Sequence, residues 1–406
     1  MTDVRPFFAL RPPSALAHRV ASPPYDVVST SQARALAEGN PASFLHVSRP
    51  EIDLPVGTDE HANEVYETGR MNLLAFVERG VLERDHEPHF YIYAQRMGDH
   101  HQVGLVACAS VSDYLNDRIK KHEKTRADKE DDRTRHIETL AAHDEPVFLT
   151  YRSVAELDAL IANLTQGKPT YDFTSDDGVH HRLWVVEAAH SRKLAGLFAE
   201  RVDTLYVADG HHRSAAAARA HQTNRGDGRE HDVFLAVIFP HDQMNILAYN
   251  RVVRDRSGRS GAALLEALAE HFDIEPAASA APAEPGTFGL YVGGGQWHRA
   301  RVRPGTFDAH DPIERLDCQI CQKQLLEPVF GIVDPRRDES VEFVGGIHGS
   351  LELERRVDAG EGNIAIYLYP TSMAQVMAVS DAGAIMPPKS TWFEPKLRSG
   401  LFVHVF

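Results

Sequence analysis

Hydrophobic and polar positions alternate in short runs along much of this chain, and stretches of helical spacing separate those runs. Alternation over Phe90–Gln95 and Val103–Val111, on either side of a Gly98–His101 turn, predicts a hairpin. Strands are also expected at Pro146–Tyr151, Arg182–Glu187 and Leu205–Val207, and a second hairpin is expected to pair Val233–Phe239 with Met244–Asn250. Farther on, Phe288–Val292, Trp297–Val302, Ile364–Tyr369 and Gln375–Val379 read as strands. Helical patterns cover Thr30–Glu38, Ala62–Arg79, Ser191–Arg201, the alanine-rich Arg213–His221 and Pro312–Glu327. The charged stretch Arg118–His143 reads as a mostly solvated helix with loops at its ends, and Ala277–Pro285 as a linker-like loop. This mixture predicts an α+β fold, mixed sheets with hairpins and packed helices, rather than regular βαβ winding.

A length of 406 residues suits two or three domains, with boundaries expected at 1–88, 89–260 and 261–406. A hydrophobic fraction of 43% beside 25% charged residues is enough for a sizeable core. No apolar run is long enough to span a membrane, and the first residues lack the pattern of a signal peptide. Three cysteines cannot build a disulfide framework, so a reduced, cytoplasmic setting is expected. The formal net charge of -15 argues against nucleic acid as a partner and leaves a small-molecule substrate as the expectation. Oligomeric state is not legible.

The sharpest local pattern is Asp209-Gly210-His211-His212-Arg213-Ser214, between the short Leu205–Val207 strand and the alanine-rich helix. Unpaired backbone N–H groups at a helix start attract anions, and Gly210 allows a sharp bend or close approach. Arg213 carries a planar fork suited to phosphate oxygens, and the two histidines can donate hydrogen bonds or shuttle protons near neutral pH. Asp209 can orient an imidazole. The same residues also suit a plain Asp-Gly turn before a capped helix.

A second pattern is His122-Glu123-Lys124-Thr125, followed by Glu130-Asp131-Asp132-Arg133. It opens like a zinc-protease helix, but Arg126 stands where the second histidine is needed. Glu123 is a candidate general base; the alternative is a solvated charged helix. A third, Met386-Pro387-Pro388-Lys389-Ser390-Thr391, groups phosphate-contacting residue types on a rigid turn, without the glycines of a P-loop. Cys318 and Cys321 read as buried thiols, and Gly293–Gly295 as a hairpin turn.

With these residues in view, the chain resembles the family catalogued as domain of unknown function 1015. The resemblance runs from Arg11-Pro12 and Pro23-Pro24-Tyr25-Asp26-Val27 through the three patterns above, and includes Asn250-Arg251-Val252-Val253. The Asp-Gly-His-His-Arg turn also resembles that of ParB/sulfiredoxin-like proteins, among them free-serine kinases with a His-Glu pair upstream. The resemblance implies a ParB/sulfiredoxin-like nucleotide-binding core with N- and C-terminal elaborations. It implies a phosphotransferase using ATP or ADP with Mg²⁺ and acting on a small hydroxyl compound, free L-serine foremost. On that reading Glu123, His211, His212 and Asp209 are catalytic, and Asp209 is also a Mg²⁺ ligand. Gly210, Arg213, Ser214, Arg133, Lys389, Ser390 and Thr391 hold phosphates, while His122, Thr125, Tyr25 and Asp26 contact substrate. A nucleotide-binding regulator without turnover and a metal-dependent phosphoester hydrolase remain as alternatives.

Overall fold

The structure, a computed structural model, describes residues 2–223 and 229–406. The chain divides into two compact units, one of residues 1–244 with 395–406 and one of residues 245–394. Residues 1–88 therefore share a unit with 89–244, and residues 245–260 fall with the second.

A mixed sheet of nine strands among the described residues organises the first unit. The long His100–Ser110 strand is paired on one side with Tyr91–Met97, as the hairpin pattern predicts, and on the other with Val233–Pro240. Val233–Pro240 is buried at every position and runs parallel to Val147–Tyr151. Its continuous apolar character is that of a strand covered on both faces. It does not pair with the segment after it, as the sequence pattern suggested. Ile246–Leu247 instead joins Trp392–Phe393, and Tyr249–Val253 enters the sheet of the second unit. At the far edge, Leu205–Asp209 lies antiparallel to Val147–Tyr151 and parallel to Ile119–Lys120. Leu149, Val207, Phe234 and Ile238 pack with Leu194 and Phe198 of the helix Ala188–Arg201 to form this unit's core.

The charged stretch departs from expectation. It contains the helix Ala127–Leu140, whose inward face buries Asp132, Thr134 and His136 together with Ile137 and Leu140. Burial of paired polar groups leaves no apolar stripe for a hydrophobic pattern to reveal. Asp132 accepts from the Tyr66 hydroxyl at 2.7 Å, and His136 meets Asp144 at 3.0 Å.

In the second unit, six strands run antiparallel in the order 272–277, 297–302, 287–291, 364–368, 249–253 and 341–345. Gly293, Gly294 and Gly295 occupy positive φ in the turn joining two of them, the hairpin expected there. Gln375–Val379, expected as a strand, lies in the helix Met373–Asp381. A capping box decides it: Ser372 accepts from the Gln375 amide while the Gln375 side chain reaches back to the Ser372 amide. The expected Pro312–Glu327 helix begins only at Asp317 and buries Cys318 and Cys321.

Candidate functional site

The first unit builds its polar centre where the Leu205–Asp209 strand turns into the helix His211–Thr223. The strand's pairing with Val147–Tyr151 shifts register between Val207 and Asp209. A bulge of this kind re-aims the side chains that follow it. Gly210 then adopts φ 90°, and a Cβ there would lie 3.1 Å from the Arg213 guanidinium. Only glycine makes this turn without strain.

Asp209 is held by two donors. Its Oδ1 accepts from the Gly210 amide at 2.8 Å and its Oδ2 from the Lys396 ammonium at 2.9 Å. Burial raises its pKa, but Lys396 and Arg213 outweigh burial and hold the carboxyl below the usual range. Both oxygens are thus engaged by the protein's own donors. No group of three or more potential metal ligands occurs among the described residues.

His211 is buried, with its ring edge-on to that of His122 at 4.4 Å between centroids. Its Nδ1 lies 3.7 Å from Oε2 of Glu123, whose side chain is half exposed. The fold thus brings Glu123 to the Asp209–Arg213 turn across the intervening strands and helices. Burial pushes the His122 imidazole down to about 4; burial, helped by His122, His212 and Arg213, pushes His211 well below its ordinary value. Both shifts favour the neutral ring at physiological pH. His122 makes no well-aligned hydrogen bond, although the Val207 backbone slightly favours its protonation. His212 is half-buried and accepts from the Arg126 amide at 3.2 Å. Ser214 is fully buried, its hydroxyl donated back to the His211 carbonyl at 3.0 Å. Thr125 donates its hydroxyl to Glu130.

Arg213, although it stands near a helix start, is only 8% exposed. It donates to the Pro146 carbonyl at 2.5 Å and approaches Asp26 at 3.9 Å. Burial lowers its pKa, but Asp26, Glu145 and Asp209 raise it by more, so it stays charged. Beside it, Arg133 lies 4.0 Å over the Tyr25 ring and pairs with Asp132 at 2.8 Å. Tyr25, Asp26, Arg133 and Arg213, distant in sequence, therefore meet in one cluster.

Two residues of this cluster have no counterpart in the sequence reading. Lys396 belongs to the returning C-terminal segment and reaches the turn only through the tertiary fold. Glu145 accepts from the Tyr25 amide at 2.9 Å and the Ser399 hydroxyl at 2.8 Å. Burial, opposed by Arg213, raises the Glu145 carboxyl to about 7. The available signal was the acidic pair Asp144-Glu145 directly before a proline and a buried strand. Lys389, Ser390 and Thr391 lie in the second unit.

A raised carboxyl means that the folded state holds a proton the unfolded chain has released. Stability from Glu145 is therefore full below about pH 4.3 and is lost as pH rises to about 7. Buried His122 and His211 act in the opposite direction, since their depressed values add stability as pH rises toward about 6.5. The Glu145→Gln variant is expected to gain on wild type between these limits, by about 1–3 kcal/mol, and to hold a constant lead above them. Urea unfolding at a series of pH values measures the difference. A lead that does not change with pH would place the titration elsewhere.

The chain matches the family model described as "Protein of unknown function (DUF1015)" over residues 4–319. It belongs to that family. Among curated proteins none matches this DUF1015 chain. Solved structures similar to it include a free serine kinase in complex with AMP, 14% identical, TM-score 0.35, covering 70% of this chain and 88% of that one. Another is a conserved hypothetical protein from Pyrococcus furiosus, 14% identical, TM-score 0.34, covering 70% and 93%. A third is SbnI with a C-terminal truncation from Staphylococcus aureus, 13% identical, TM-score 0.37, covering 71% and 82%. Similarity this loose carries no argument about activity. No helix among the described residues is long and apolar enough to cross a membrane.

Proposed function

We propose that this DUF1015 protein is a phosphotransferase that moves a phosphoryl group from ATP or ADP to the hydroxyl of a small molecule, with free L-serine the first acceptor to test. The observation that carries the reading is the Glu123 carboxylate 3.7 Å from His211, at a turn backed by the buried Arg213 cation. Phosphoryl transfer depends on positioning and charge neutralisation more than on covalent catalysis. In this reading Glu123 accepts the proton of the acceptor hydroxyl. The neutral His211 and the half-buried His212 orient the acceptor and the transferring group by hydrogen bonds. Arg213 and Lys396 supply positive potential, while Asp26 and Tyr25 line the approach. No step is assigned to a metal on Asp209.

The test incubates the full chain with Mg²⁺, γ-labelled ATP or β-labelled ADP, and a panel of hydroxyl compounds headed by L-serine. Labelled phosphoserine, or another labelled phosphomonoester, is expected. Measurable nucleotide binding without transfer to any acceptor would overturn the kinase reading in favour of a nucleotide-responsive regulator.

A further inference from the structure

Gln95 and Gln102 face each other across the Tyr91–Met97 and His100–Ser110 strands, and both are fully buried. Their surroundings along the two strands are apolar: Tyr91, Ile92, Tyr93 and Ala94 before Gln95, and Leu105, Val106 and Ala107 beyond Gln102, are buried as well. Two primary amides in such a place are costly unless they are hydrogen-bonded. Gln95 Nε2 donates to the main-chain carbonyl of Lys396 at 2.9 Å, and Gln102 Nε2 donates to Gln95 Oε1 at 3.0 Å. Gln102 Oε1 lies 3.1 Å from Nε2 of the half-buried His100.

The direction of this chain of bonds is set at Lys396. A carbonyl can only accept, so Gln95 turns its NH₂ group toward Lys396 and its oxygen toward Gln102. Gln102 then donates to Gln95 and turns its own oxygen to His100, whose Nε2 carries the hydrogen. Reversing either amide would set oxygen against oxygen. The groups from His100 to the carbonyl therefore have one consistent arrangement, in which each bond polarises the next.

Lys396 joins this chain to the candidate site. Its carbonyl receives the amide, and its ammonium donates to Asp209 Oδ2 at 2.9 Å. The residues after it are held by other partners: Arg398 donates to the Ser175 hydroxyl at 3.1 Å, and Ser399 exchanges main-chain hydrogen bonds with Ser22 at 2.9 and 3.2 Å. A lysine ammonium is a point charge on a flexible stem, so the place of its main chain governs whether it reaches one carboxylate. An apolar pair at 95 and 102 would fill the same space at less cost, but it would leave the Lys396 carbonyl without this donor.

We propose that Gln95 and Gln102 are positioning residues for the candidate site, holding Lys396 by its carbonyl so that its ammonium stays on Asp209. Neither touches a reacting group. Their effect on rate rests on the phosphotransferase reading, whereas their effect on Lys396 rests on the geometry alone.

Competitive acetylation of the full chain with acetic anhydride, read lysine by lysine by mass spectrometry, tests it, because an ammonium held on a carboxylate is slow to lose its proton and react. In the double variant Gln95→Met with Gln102→Met, which replaces both amides by apolar side chains of similar length, labelling of Lys396 is expected to rise about tenfold while other lysines match wild type. Single-turnover phosphoryl transfer is expected to fall about tenfold with nucleotide affinity unchanged, a split that general loosening of the fold would not give. Gln95→Asn keeps an amide for Gln102 but withdraws it from Lys396 by one methylene; it is expected to show the same rise, and it decides if the double variant does not fold. Lys396 labelling equal to wild type would overturn the proposal, as would increased labelling with the transfer rate unchanged. Absence of transfer from wild type to any acceptor would sink the phosphotransferase reading instead, and labelling would then decide by itself whether the amides hold Lys396.

Discussion

Replacing Arg213 by alanine is expected to destabilise the first unit by about 3–5 kcal/mol as well as to abolish nucleotide binding. The stability loss follows from burial. Arg213 is enclosed with Glu145 and Asp209, and Asp26 approaches it from 3.9 Å. Removing this cation leaves Glu145 with only Arg133 to offset its charge, Asp209 with Lys396 alone, and the Pro146 carbonyl without its Arg213 donor. Glu145, already raised to about 7, moves further upward and takes a proton to relieve the charge. A double variant, Arg213→Ala with Glu145→Gln, removes cation and carboxyl together and is expected to recover more than about 1 kcal/mol of the loss. Urea unfolding of the two single variants and the double variant measures this coupling. A cost of less than about 1 kcal/mol for Arg213→Ala would show that the carboxylates find other partners. Because this variant confounds folding with binding, Arg213→Lys is the better probe of affinity. It keeps a charge in the cluster and loses the planar fork.

That burial shows where reading the sequence stopped. An arginine one turn into a helix, after Asp-Gly, looks like a residue facing solvent. What encloses Arg213 is the Pro23–Asp26 segment and the Asp144–Pro146 corner, remote in sequence and brought in by tertiary contacts. Local chemistry made the turn itself legible: Asp-Gly before an alanine-rich run predicts a strand, a bend and a helix, and all three are present. The Tyr91–Met97 and His100–Ser110 hairpin was legible for a similar reason, since its pairing is set by a short turn. The partner of Val233–Pro240 was not, because a strand buried on both faces has no alternation to mark its neighbours. Gln375–Val379 carries strand-like residues, yet the four-residue signal Ser372-x-x-Gln375 outweighs their propensity by satisfying amides at the helix start. Lys396 offered no local signal at all. Its role rests on the last dozen or so residues returning to pair with strands of the first unit.

Glu123→Gln is expected to lower the rate of phosphoryl transfer by about 10²–10⁴-fold while leaving nucleotide affinity within a factor of about two. The amide is isosteric with the carboxylate and keeps its contacts in shape, but it cannot accept a proton from the acceptor hydroxyl. The environment supports this division of labour. A cationic imidazole at 3.7 Å would stabilise the Glu123 carboxylate and make it a weaker base. His211 instead stays neutral, because burial and the neighbouring His122 oppose its protonation. The base keeps its strength while the ring still fixes its direction. Replacing His122 by phenylalanine tests that account: it keeps an aromatic edge against His211 and removes one opponent of His211 protonation. The rate in that variant is expected to decline below the pH at which His211 begins to charge, a limb that wild type does not show. Single-turnover transfer measured from pH 5 to 8 for wild type, Glu123→Gln and His122→Phe distinguishes the roles. Transfer at the wild-type rate in Glu123→Gln would exclude Glu123 as the base and shift attention to Glu145, the other carboxyl in the same cluster able to exchange a proton near neutral pH.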